Sequence, residues 1–166
     1  SFSGRIEAED EAALGFRIAG RLASRAVNVG DTVAAGQIIG ALEPQDQENA
    51  LRSARADLVA AEGRLVQAQN AYERRRTLLN RDVVSQADFD AAEQARRAAQ
   101  AAVDAAAAQL RIAEENLGFT VLAADAPGVV TAIGAEPGEF VRAGQKVVRL
   151  ARRDGRDAVF DVPQSA

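Results

Sequence analysis

Very few residues in this chain of 166 amino acids carry side chains that do chemistry. The sequence contains no cysteine, no histidine and no methionine, and Lys146 is its only lysine. It therefore lacks the usual ligands of zinc and copper and the usual nucleophile–base pairs. Its carboxylates, such as Glu114 and Glu115, fit the solvated surface of a helix, and nothing places an acid–base pair in a pocket. We predict a protein with no catalytic residue, no bound metal and no cofactor.

The charge and hydropathy of the chain exclude two further classes of function. Its 20 basic and 24 acidic side chains give a formal charge of −4, which provides no positive field for a nucleic acid. No apolar run approaches the roughly 18 residues that span a bilayer. The sequence lacks an initiator methionine and ends in what reads as an interrupted strand at 159–163. We therefore interpret it as a fragment or a trimmed product.

A half-motif occurs twice, and the two copies flank a long alanine-rich segment. Each copy reads Gly-x-hydrophobic, followed by Gly-x-x-Val-x-Ala-Gly-Gln, and the second lies 108 positions after the first. Two β half-units that each lack a complete core should bury their apolar faces against one another. We therefore predict one β unit, formed by residues 14–43 and 118–152. The turn glycines of the motif are Gly30, Gly36, Gly138 and Gly144.

Residues 44–117 have the apolar period of a helix that is interrupted once. Ser85 is placed to begin the second helix as its N-cap, and Gly118 to stop it. A fold-back at position 82 pairs residues whose numbers sum to 164, so that larger residues meet alanines as in an antiparallel coiled coil. The predicted seam contains Leu51, Leu58, Leu65, Tyr72, Ala92, Ala99, Ala106 and Ala113. Two layers break the rule: Ala68 with Arg96, and Arg75 with Phe89.

The paired halves resemble a biotinyl/lipoyl-type barrel-sandwich domain. In the carrier versions of that domain, a short hairpin between the halves presents a lysine for covalent attachment of a cofactor. No lysine lies between residues 42 and 128, and Lys146 falls inside the second half. The swinging arm of a carboxylase or dehydrogenase complex is therefore excluded.

A sandwich whose halves are separated by a helical hairpin resembles the periplasmic adaptor, or membrane fusion protein, family. Residues 14–20 look like the start of the family's lipoyl domain, residues 42–46 like its junction with the hairpin, and residues 117–120 like its return. One departure is a proline directly before Gly128, where the family usually has Pro-x-x-Gly.

The resemblance implies an α+β fold. A lipoyl-like β barrel-sandwich would be interrupted at 44–117 by a long antiparallel α-helical coiled-coil hairpin with its tip at about 79–85. Segments 1–13 and 153–166 resemble edge strands of the family's adjoining β-barrel domain, of which only fragments would be present.

The family carries an Arg…Leu…Ser signature at the hairpin tip, and in the family these residues contact an outer-membrane channel. Arg74, Leu78 and Ser85 match its spacing, and Arg74 and Leu78 share a helix face because they lie four residues apart. Each also has a purely structural explanation. Ser85 would be an N-cap, Arg74 part of a basic helix end, and Leu78 a cover for the turn near Val83 or Val84.

The resemblance implies a non-enzymatic adaptor of a tripartite multidrug efflux pump in the periplasm, associated with the inner membrane through an anchor outside this chain. Its partners would be an inner-membrane transporter, first of all of the RND type, an outer-membrane channel, and further copies of itself as a trimer or hexamer. An adaptor for an ABC-type exporter or a type I secretion system is the alternative, although a secretion adaptor should have a longer hairpin. A periplasmic metal-binding chaperone is disfavoured by the missing soft ligands.

Overall fold

The computed structural model describes residues 10–153, and the chain divides into two compact units. The β unit combines the segments up to Pro44 and from Asn116, and the hairpin unit is Gln45–Glu115. Antiparallel sheets form the first and two long helices form the second, so the predicted fold class is confirmed. The expected barrel edges at 1–9 and 154–166 lie outside the described residues.

Eight short strands and two helices follow one another along the chain. The helices are α1 (Gln45–Asn80) and α2 (Gln86–Gly118). The strands are β1 (Glu11–Leu14), β2 (Gly20–Arg25), β3 (Thr32–Val33), β4 (Ile38–Leu42), β5 (Val121–Ala123), β6 (Gly128–Ile133), β7 (Phe140–Val141) and β8 (Val148–Arg152). One four-stranded sheet has the order β1-β8-β6-β3 and the other β5-β4-β2-β7.

The repeat in the sequence is also a repeat in the structure, and its two halves exchange strands. β3 of the first half pairs with β6 of the second, and β7 of the second half pairs with β2 of the first. The offset of 108 residues carries β2, β3 and β4 onto β6, β7 and β8, and therefore carries one sheet onto the other. Each half thus supplies a strand that the sheet of the other half needs.

The four turn glycines fix the exchanged strands. The φ angle is 95° at Gly30 and Gly138, and 83° at Gly36 and Gly144. Glycine adopts this left-handed region without the steric cost that a side chain brings. The Gly30 amide donates to the Val130 carbonyl and the Gly138 amide to the Leu22 carbonyl, both at 2.8 Å. The same hydrogen bond therefore joins the halves in both directions.

The core of the β unit lies between the two sheets and is supplied almost equally by both halves. Fourteen buried residues form one cluster. Most of them are equivalent pairs of the repeat, such as Leu22 with Val130 and Leu42 with Leu150. Each fully buried aliphatic side chain contributes about 1.5–3 kcal/mol relative to an exposed one. The core of the β unit therefore consists largely of two equivalent sets of side chains, one from each half of the repeat.

In the hairpin unit, the two helices pack along one face. All eight predicted seam residues are buried or half-buried, whereas most of their neighbours are exposed. The first turn of α1 contains Asp46 and Glu48, whose carboxylates favour the positive end of the helix dipole. The fully buried positions of the two helices are Leu51, Ala54, Ala61 and Ala113.

Tyr72 makes the aromatic contact between the helices. Its ring centroid lies 5.5 Å from that of Phe89 and 4.9 Å from the guanidinium carbon of Arg96. Arg76, on the same helix as Tyr72, covers the ring at 5.6 Å. Phe89 and Arg96 are seven residues apart, so Tyr72 stands level with the middle of that interval, at about Ala92. Stacking on an aromatic ring explains why the seam tolerates an arginine.

One strand extends the β unit beyond its expected start. The prediction assigns residues 1–13 to the barrel fragment, but residues 11–13 belong to β1, which pairs with β8 in the sandwich. Glu11 reinforces this pairing through an ion pair with Arg149, at 3.7 Å. A strand of four residues has too short an alternation to be distinguished from a flanking segment in the sequence.

The second helix ends differently from the prediction. Gly118 is its last residue, and it is not among the glycines with positive φ, so no left-handed cap forms there. Instead, the hydroxyl and the amide of Thr120 both donate to the Leu117 carbonyl, at 2.7 and 3.1 Å. The buried threonine satisfies a carbonyl at the helix end, and the conformational freedom of glycine is therefore not used.

Candidate docking site at the hairpin tip

A short link, residues 81–85, joins the two helices and is closed by a Schellman motif. Asp82 has a φ of 59°. The amide of Val83 donates to the Leu78 carbonyl at 2.8 Å, and the amide of Asp82 to the Leu79 carbonyl at 2.9 Å. These are the two crossed hydrogen bonds that end a helix through a left-handed residue. The turn is therefore defined by the backbone of the last residues of α1.

Ser85 begins α2 as its N-cap. Its hydroxyl accepts a hydrogen bond from the Asp88 amide at 3.1 Å, and its carbonyl accepts one from the Phe89 amide at 3.2 Å. The side-chain oxygen thus satisfies one of the amides that have no partner inside the helix. The structural explanation of this serine is present, and any contact with a partner would be additional to it.

Arg74 and Leu78 lie one turn apart near the end of α1, and they differ in burial. Arg74 is exposed, and within residues 10–153 its guanidinium has no hydrogen bond or ion pair. Leu78 is half-buried, and its carbonyl belongs to the motif that closes the turn. The structure therefore places an unpaired cation and a partly covered apolar side chain on the same side of the hairpin end.

Sequence reasoning missed Val83 as part of this surface. Its side chain is 65% exposed in the link, next to the half-buried Val84. In a Schellman motif the residue after the left-handed position commonly contacts the residue at the position of Leu78. An apolar residue directly after an aspartate in a predicted tip was the signal that could have identified it.

Across residues 10–153, no cluster of three histidine, cysteine, aspartate or glutamate side chains is arranged to hold a metal ion. Neither helix in that range combines the length and the apolar character needed to cross a bilayer.

Comparison with known proteins identifies the family of this chain. Residues 50–120 match the family model described as RND MFP, alpha-helical hairpin domain. The membrane fusion protein MtrC of Neisseria gonorrhoeae is 31% identical over 163 residues, which cover 98% of this chain and 40% of MtrC. The chain belongs to the membrane fusion protein family of periplasmic adaptors.

Further relatives of this adaptor agree in sequence and in fold. The macrolide export protein MacA of Escherichia coli O157:H7 is 28% identical over 162 residues, or 89% of this chain and 44% of that protein. The crystal structure of MacA from Actinobacillus actinomycetemcomitans superposes with a TM-score of 0.72 at 21% identity, over 84% of this chain and 48% of that chain. The adaptor chain thus spans less than half the length of each of these three relatives.

The match to the family model includes the complete tip of this adaptor. Arg74, Leu78 and Ser85 all fall within residues 50–120. The fold brings them to the last two turns of α1 and the first residue before α2. Their contact with a channel stays a prediction.

Proposed function

We propose that this chain is part of a periplasmic adaptor of a tripartite efflux pump, which bridges an inner-membrane transporter of the RND type and an outer-membrane channel. The match of residues 50–120 to a hairpin model described by the RND class carries this proposal. MtrC is named a membrane fusion protein and MacA a macrolide export protein, and export by this adaptor is proposed by analogy with them.

The hairpin tip is proposed as the surface that docks onto the channel. The unpaired Arg74 is suited to donate to carbonyl or carboxylate oxygens at the ends of channel helices. Leu78 and Val83 supply the apolar part that the centre of a protein interface usually has. The closed turn holds these groups in place before binding, which lowers the entropy that docking must overcome.

Several copies are proposed to stand side by side around the conduit, as a trimer or a hexamer. A single two-helix hairpin is narrow, so it cannot enclose a path for an exported compound. The adaptor would supply geometry, and the transporter would supply the energy. No catalytic step is proposed for the chain, and its site of action would be the periplasm.

Charge reversal at the tip tests this function. We expect Arg74→Asp or Leu78→Asp to abolish drug export in cells that depend on this pump, because a carboxylate would face the channel oxygens or occupy the apolar contact. Co-purification of the channel should be lost, whereas that of the transporter should be retained. The thermal midpoint of Arg74→Asp should stay within about 2 °C, because this side chain is exposed and surface changes cost little. For Leu78→Asp, at a half-buried position, retained co-purification of the transporter shows that the chain is still folded.

Arg64→Asp is the matched control, because it makes the same charge change at an exposed position of α1 away from the tip. It should leave export unchanged. Normal drug tolerance with both Arg74→Asp and Leu78→Asp would contradict the docking role.

An adaptor for an ABC-type exporter or a type I secretion system is the alternative within the family. Cross-linking the adaptor to its transporter and identifying the captured protein distinguishes an RND-type from an ABC-type partner, because only the ABC-type transporter has nucleotide-binding domains. A metal-binding chaperone would instead require tight binding of Cu⁺ or Ag⁺ in a calorimetric titration.

A further inference from the structure

Two rows of exposed side chains run along the outside of the hairpin at a spacing of seven residues. The valine row, on α1, contains Arg52, Val59, Val66 and Glu73. The alanine row, on α2, contains Ala91, Ala98, Ala105 and Ile112. The exposed fraction is 67% for Val59, 59% for Val66 and 47% for Ile112. All eight side chains are exposed, so the packing of the two helices on each other does not account for these apolar residues.

The two rows point away from the hairpin in opposite directions. Val59 comes one position after the seam residue Leu58, and Ala105 comes one position before the seam residue Ala106. Because the helices are antiparallel, both steps move toward the tip, and both turn by about 100° in the same sense. Since the two seams face each other, the same turn carries the two rows to opposite outer sides.

The rows also stand at matching heights along the hairpin. The ring of Tyr72 touches both Phe89 and Arg96, which sets it level with Ala92. Because the helices are antiparallel, counting the same number of residues back from Tyr72 in α1 and forward from Ala92 in α2 gives two positions at the same height along the hairpin axis. The level pairs are Glu73 with Ala91, Val66 with Ala98, Val59 with Ala105, and Arg52 with Ile112. Both valines therefore stand level with alanines on the other side.

We propose that the valine row of one copy packs against the alanine row of the next copy, so that the hairpins join through unlike faces. This packing rests on the proposed assembly of several copies. A rotation axis parallel to the hairpins leaves each residue at its own height, so level pairs meet across every interface. The small alanine side chain leaves room for the valine and lets the helices approach closely.

Size and charge both favour a second copy as the occupant. Two valine rows facing each other would leave the alanine rows uncovered, whereas unlike rows cover both. Farther from the tip, Glu115 lies one turn beyond Ile112 on the outer side of α2 and is exposed. It differs in height from Arg52 by about 4–5 Å, which is within reach of an arginine side chain. The acid and the base therefore meet in the same arrangement that joins valine to alanine.

Disulfide formation between introduced cysteines tests this packing, because the chain has no cysteine of its own. The chain with both Val59→Cys and Ala105→Cys is oxidised with copper phenanthroline, as purified protein at rising concentration and in cells where it supports export. We expect a ladder of linked dimers, trimers and larger species. A mixture of the two single variants should give dimers only, and each single variant alone should give none.

Exchanging the partners provides the matched control. Val59→Cys with Ala98→Cys, and Val66→Cys with Ala105→Cys, use the same positions but differ in height by seven residues, or about 10 Å. A disulfide requires Cα atoms within about 7 Å. The exchanged pairs should therefore lose the linked product that the two level pairs give.

Three results would overturn the packing: equal yields from level and exchanged pairs, linked dimers from Val59→Cys alone, or no ladder either in purified protein at the highest concentration or in resistant cells. Export is recorded in the same cells with the reduced protein. A missing ladder with export intact rejects this interface alone. Export that is insensitive to the tip variants Arg74→Asp and Leu78→Asp rejects the docking function instead.

Discussion

The β unit and the hairpin both pack through apolar residues but bury them to very different extents. In the β unit, fourteen buried residues form one cluster between two sheets. In the hairpin, four residues are buried, although its helices contain 36 and 33 residues. Two sheets enclose the space between them, whereas two helices share only one line of contact. Most of each helix surface is therefore left to solvent or to other molecules.

This difference separates the source of stability from the surface for contacts. The core of the β unit is complete within one chain, so that unit holds itself together. Alanine is the commonest residue of α2, and exposed alanine contributes to helix propensity but little to a core. The outer side of α2 thus carries many small side chains, whereas Val59 and Val66 are the exposed large apolar residues of α1.

The largest expected effect tests the core of the β unit. Leu42→Ala and Leu150→Ala remove equivalent buried side chains of the repeat, and each should lower the free energy of unfolding by about 2–5 kcal/mol. Leu65→Ala, in the half-buried seam of the hairpin, should cost about 1 kcal/mol, because less area leaves water. Urea unfolding, with hydrogen exchange to assign the loss to a unit, measures both. Equal losses in the free energy of unfolding for the β unit and the hairpin would contradict this difference in burial.

A smaller effect compares the two halves of the repeat. Gly20 and Gly128 begin equivalent strands, but a Cβ on Gly128 would lie 2.3 Å from the Ala151 carbonyl oxygen. On Gly20 it would meet only the side chain of Leu42, with the nearest atom at 3.1 Å. We expect Gly128→Ala to cost about 1–3 kcal/mol, since the backbone must move. Gly20→Ala should stay within about 0.5 kcal/mol in the same unfolding measurement, and similar losses in both would contradict this asymmetry.

The smallest effects concern the ends of the helices at the tip. Ser85→Ala removes the cap of α2 and should destabilise the hairpin by about 1 kcal/mol. Asp82→Gly should stabilise it by about 0.5–1 kcal/mol, because glycine adopts the positive φ of this position without strain. Hydrogen exchange of the amides near the link follows both changes. Shifts of the same sign would argue against the closed turn.

Regular spacing made much of this fold predictable. The 108-residue offset identifies the β unit and its four left-handed glycines, because only certain turns need glycine at both positions of the motif. The helical period likewise identifies the hairpin and the residues of its seam. Both signals extend over many residues, so single exceptions do not obscure them.

Features that depend on one local competition were not predictable in the same way. Gly118 has the residue type of a helix cap, but the Thr120 hydroxyl donates to the Leu117 carbonyl, so no left-handed glycine is needed there. Arg96 breaks the size rule of the seam, and its place against Tyr72 depends on the exact rotation of two helices. At the tip, the spacing of Arg74, Leu78 and Ser85 predicts the docking residues, and their role stays a prediction. The exposure of Val83 follows from the left-handed conformation of Asp82, which the residue type alone does not predict.

The exchange of strands has a consequence for the order of folding. The two halves of the β unit meet only across the intervening helices, so this unit depends on contacts between residues that are distant in sequence, which form slowly. Helices form within microseconds, so the hairpin should be protected before the β unit. Pulsed hydrogen exchange during refolding would detect protection in that order, and simultaneous protection would contradict it.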